Sequence, residues 1–158
     1  MCAICKGWTH EEVAADQRHH IATIGWSVQM VEPRPGRVGW SYTIGLSESY
    51  GHPELLLVGR DVRADHEVLN RLGAAVRDGT TVRAGSSVVA DLPLEAWEVH
   101  PVHLFGELVT SWRTVYEDRS PDERPELRFL QVREVPADET DRDLRTRLDR
   151  PYARLPRP

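Results

Sequence analysis

The sequence predicts an α+β fold: a mixed, mainly antiparallel sheet of about six strands, with two to three helices laid over one face. Three observations point there. Strand-like and helix-like segments neither alternate strictly throughout the chain nor follow an all-β spacing, which leaves a mixed sheet with segregated helices. Residues 54–59, Glu-Leu-Leu-Leu-Val-Gly, form the continuous apolar run of a central strand. With 158 residues and 40 % hydrophobic content, the chain is sized for one domain that buries roughly 70 % of its unfolded surface.

The elements follow in order. Thr9-His10-Glu11-Glu12 matches a capping box, in which the Thr9 hydroxyl accepts from the third helical amide and Glu12 reaches back to the Thr9 amide. The spacing of Val13, Gln17, His20, Ile21 and Ile24 then predicts a helix over 10–24, stopped by Gly25. Residues 26–31 and 40–46 alternate large apolar with polar side chains around a Pro33/Pro35/Gly36 turn, and read as a strand pair. In the second strand Trp40, Tyr42, Ile44 and Leu46 share one face. The small residues Ser41, Thr43 and Gly45 line the other, where a ligand or a second backbone can come close.

Asp61 caps a helix over 62–78, with Ala64, Val68, Leu69, Leu72, Ala75 and Val76 on a core stripe that ends at Gly79. Further strands are expected near 87–90, 96–102 and 127–134, and a helix over 103–116 carrying Leu104, Leu108, Trp112 and Val115. Residues 1–139 then make a single domain with an N-terminal Cys-x-x-Cys arm. Residues 140–158 read as a charged, proline-containing tail with a short helix before Pro151.

Composition excludes several function classes. A net charge of −5 argues against a cationic face for nucleic acid. No apolar run approaches the ~20 residues of a membrane span, and the first residues lack the basic start and apolar core of a secretory signal, so a cytoplasmic location is expected. A Gly-rich phosphate loop, a dinucleotide fingerprint, a G-x-S-x-G elbow and an H-E-x-x-H helix are all missing, so no nucleotide cofactor is indicated.

Cys2-Ala3-Ile4-Cys5, Gly25-Trp26, residues 40–46 and Gly51-His52-Pro53-Glu54-Leu55 together resemble a bacterial family known only as domain-of-unknown-function family 4262. The resemblance spans residues 1–132. It implies a shared fold and a shared site, with no activity attached. The chain departs from the family's pattern after Gln131, where Val132-Arg133-Glu134-Val135 leads into charged sequence in place of an aromatic-rich strand end.

The chemistry-bearing candidates lie at predicted junctions. Cys2 and Cys5 supply half of a tetrahedral site for zinc or iron, or the two thiols of a redox pair, or an unattached terminus. His52, His100 and His103 are candidate further ligands, from elements other than the arm. His52-Pro53-Glu54 places an imidazole and a carboxylate where a loop enters the central strand, with proline fixing the backbone between them; the alternative is turn chemistry, with His52 holding a backbone carbonyl. His103 follows Pro101 at a strand-to-helix junction, as a pocket residue or a helix cap. His52, Glu54 and His103 are therefore the catalytic candidates, and Tyr42 and Thr43 the cofactor- or ligand-binding ones.

Three function classes fit. One is a metal-dependent enzyme or small-molecule-binding domain using this set. A second is a non-catalytic domain closed structurally or sensing redox through its cysteines, and a third is an interaction module, such as a homodimer formed through an exposed aromatic edge.

Overall fold

The computed structural model describes residues 7–59, 61–135 and 147–155. Helix α1 (His10–Ile24) starts on the expected capping box: the Thr9 hydroxyl accepts from the Glu12 amide at 3.2 Å, and the Glu12 carboxylate accepts from the Thr9 amide at 2.7 Å. Strands β1 (Ser27–Val31) and β2 (Trp40–Ile44) follow as an antiparallel pair, then helix α2 (Leu46–Tyr50), strand β3 (Glu54–Val58) and helix α3 (Val62–Arg77). Strands β4 (Gly85–Val89) and β5 (Leu92–Glu98), helices α4 (Pro101–Leu104) and α5 (Thr110–Tyr116), and strand β6 (Phe129–Glu134) complete the order. The six strands form one sheet, ordered β1-β2-β3-β6-β5-β4. Only β3 and β6 run parallel; every other neighbouring pair is antiparallel.

Helices cover both faces, which corrects the expectation of one-sided cover. Trp40, Tyr42 and Ile44 of β2 pack with Ala14 and Ile21 of α1 and with Trp112, Val115 and Tyr116 of α5. On the opposite face Leu55 and Leu57 of β3 pack with Val68, Leu69 and Leu72 of α3. The reason is legible in β3 itself. All five of its residues are buried, and a strand whose successive side chains point to opposite faces needs cover on each.

Four local expectations are also corrected. The second strand ends at Ile44, because Gly45 turns the chain at φ 115° and sends Leu46 into the α3 core, away from Trp40, Tyr42 and Ile44. Strands expected at 87–90 and 96–102 are the tight hairpin β4–β5, turned by Ala90 and Asp91 at φ 51° and 61°, neither of which is the glycine or asparagine that usually marks such a turn. The single helix expected over 103–116 is broken. His100 caps α4 with Pro101 in its first turn, and extended backbone at Gly106 separates α4 from the 3-10 turn Glu107–Val109 that precedes α5.

Residues 147–155 lie against the domain. Leu148 is 1 % exposed within the α1/α5 core, and its amide donates to the Gln131 side-chain oxygen at 2.8 Å, which also accepts from Trp97 Nε1 at 2.8 Å. A helix expected ahead of Pro151 falls partly outside the described residues; 147–155 itself contains turns. Among the described residues no helix is long and apolar enough to cross a membrane.

Helix α3 sits close to the β1–β2 end through Gly73, where a Cβ would stand 2.6 Å from the indole of the buried Trp26. The ring has little room to retreat, since its Nε1 donates to Asn70 Oδ1 at 3.0 Å. Gly73→Ala is expected to destabilise the domain by about 2 kcal/mol through overpacking, read as a lowered midpoint in urea with an unchanged slope.

Candidate functional site

The candidate residues gather where β3 and β6 begin. Glu54 opens β3 opposite Phe129 of β6, and its carboxylate turns to the start of α2. Four donors meet it there. Thr43 Oγ1 donates at 2.7 Å, and the amides of Gly45, Leu46 and Ser47 donate at 2.8, 3.2 and 3.3 Å. Gly45 makes this possible: its left-handed backbone folds the 45–47 amides inward after the strand, and a Cβ there would meet Ile21 and the Gly25 carbonyl oxygen within 3 Å. A second backbone does approach the small face of β2, and it is the start of α3, where Ser41 Oγ donates to the Val62 carbonyl oxygen at 3.4 Å.

Burial pushes the Glu54 carboxyl above the ordinary glutamate range, and the four donors pull it part of the way back. Thr43 is equally committed, because its hydroxyl oxygen also accepts from the Leu55 amide at 2.9 Å. Around this centre Tyr116 is pushed strongly upward by burial and by the charges of Glu54 and Glu48. The Tyr116 hydroxyl donates to Glu48 at 3.1 Å, Glu48 pairs with Arg119 at 2.8 Å, and the Arg119 guanidinium lies over the Tyr116 ring. Sequence reasoning missed all three of these residues. Tyr116 alone carried a signal, as the next core-facing position after Trp112 and Val115.

His52 lies beside this centre but faces away from it. Its Nε2 accepts from the Val82 amide at 3.0 Å, which leaves the ring proton on Nδ1 to donate to the Pro53 carbonyl at 2.7 Å. Both nitrogens are thus held by backbone. Burial lowers the His52 pKa, the nearby Arg128 charge acts in the same direction, and the Pro53 carbonyl opposes them.

Tyr42 is 1 % exposed, and its hydroxyl accepts from the Ser111 amide at 3.2 Å at the start of α5. Burial pushes it up to about 12. His103 lies on α4, where its Nε2 meets the Arg150 carbonyl at 2.7 Å and ties the C-terminal segment down. The structure therefore joins Thr43 directly to Glu54, sets His52 against the 82 backbone, and uses His103 to hold residue 150. Among the described residues no three His, Cys, Asp or Glu side chains converge as a metal site. Cys2 and Cys5 lie outside the described residues.

The family described as Domain of unknown function (DUF4262) matches residues 20–140, and the chain belongs to it. No curated protein and no solved structure matches the chain.

Proposed function

We propose that this member of the family is a non-catalytic domain whose responsive chemistry is the Cys2/Cys5 dithiol, taking zinc or iron or cycling as a redox pair in the cytoplasm. In this reading His52, Glu54 and His103 serve the fold and not a reaction. The observation that supports it is the double engagement of His52. A general base or a metal ligand needs a free lone pair, and the only one on the neutral ring already accepts from the Val82 amide. Glu54 is engaged in the same sense, with two donors on each carboxylate oxygen.

Two thiolates three residues apart fit half of a zinc coordination set, so the remaining ligands come from solvent, a second molecule or another part of the chain. The test is metal content after purification without chelator, measured on the wild type, Cys2→Ser, His52→Gln and His103→Ala, together with each melting temperature. Cys2→Ser is expected to abolish bound metal or, for a redox pair, the shift in melting temperature on adding reductant. His52→Gln and His103→Ala are expected to lower the melting temperature and leave metal content unchanged. Metal lost with either histidine returns it to the ligand set and favours a metal-dependent enzyme acting on a small molecule.

A further inference from the structure

We infer that the free edge of β4 is a self-association surface, on which a second copy of this chain adds its own β4 antiparallel and joins two six-stranded sheets into one. β4 ends the sheet, and among the described residues no strand pairs with its outer side. The two-residue turn makes Val89 and Leu92 the hydrogen-bonded pair, so Gly85, Ser87 and Val89 direct their backbone groups at β5. The amides and carbonyls of Ser86 and Val88 therefore point outward. Their side chains are exposed, Val88 to 71 %. Edges are ordinarily protected by lysine, proline or an inward charge, and β4 has none of these between its ends.

Charge commits the edge to its own copy. Arg83 stands just before the strand and Asp91 just after it; both are exposed, and neither has an ion-pair partner among the described residues. Antiparallel pairing of two copies brings each positive end beside the other's negative end, twice, about a two-fold axis near Ser87. In that arrangement Ser86 of each copy bonds to Val88 of the other. The opposite edge of the sheet lacks this pattern. On β1 the Met30 carbonyl is already taken by Gln29 Nε2 at 2.8 Å. The exposed group on the β4 edge is aliphatic, whereas the sequence pointed to an aromatic one.

The inference is independent of the dithiol, and its failure leaves that reading untouched. Light scattering and sedimentation over a concentration series are expected to give a dimer that dissociates on dilution. Ser86→Pro removes an amide that faces solvent in the single chain, a position where an edge strand accepts proline, and is expected to give a monomer with unchanged circular dichroism. Arg83→Glu makes both ends acidic and is expected to weaken dimerisation about tenfold at low salt, with a smaller effect at high salt. Should Ser86→Pro fail to fold, Arg83→Glu decides alone. A wild type that stays monomeric at millimolar concentration, or a dimer indifferent to the foldable variants, overturns the inference.

Discussion

Glu54→Ala is expected to destabilise the domain by on the order of 4 kcal/mol or more, lowering its melting temperature by roughly 10 °C. The cost lies in what is left behind. Four donors converge on this carboxylate in a region closed to solvent, and truncation strands the Thr43 hydroxyl and the 45–47 amides together. Each buried group left without a partner costs about 1–3 kcal/mol, and partial rehydration of the shortened site offsets some of the sum. Glu54→Gln discriminates this account from simple loss of volume. It preserves size but presents an NH2 group to donors, so it should recover only about half of the loss. Urea unfolding of the two variants checks the order, and a Glu54→Gln as stable as the wild type would sink the account.

His52→Ala should follow at about 3 kcal/mol, from the loss of a buried ring and the stranding of the Val82 amide. Its pH signature separates it from an ordinary packing defect. Since the folded state holds the His52 pKa below its unfolded value of about 6.5, the contribution of the neutral ring is complete above that value. It is then lost as pH falls through the folded pKa, because protonating Nε2 ejects the Val82 amide. Wild-type stability should therefore decline below about pH 6.5, and His52→Gln should remove that part of the slope. Equal slopes in the two proteins would assign the decline to other groups.

Helix α1 was legible because capping box, apolar spacing and terminal glycine agree, and α3 because Asp61 and its core stripe agree. What escaped has physical causes. Alternation in 40–46 continues through Leu46, so only the φ of Gly45 reveals that the chain leaves the sheet. Ala90 and Asp91 occupy a left-handed turn that other residues usually mark, which displaced both hairpin strands by a few positions. Leu148 stands among charged residues and reads as tail, although it fills the core. At the site, the sequence singled out Glu54 and His52. A polar residue entering a buried strand is conspicuous whether it reacts or braces, and only the direction of its hydrogen bonds distinguishes the two.

The placement of β6 has a consequence for synthesis. Among the described strands it is the last to leave the ribosome, yet it lies between β3 and β5 and supplies the one parallel pairing among them. Until residues 129–134 emerge, the nascent chain holds two half-sheets with sticky, unpaired borders, and closure waits on a pairing between strands more than seventy residues apart. A chaperone that shields those borders during translation should raise the folded yield more than one acting on the finished chain.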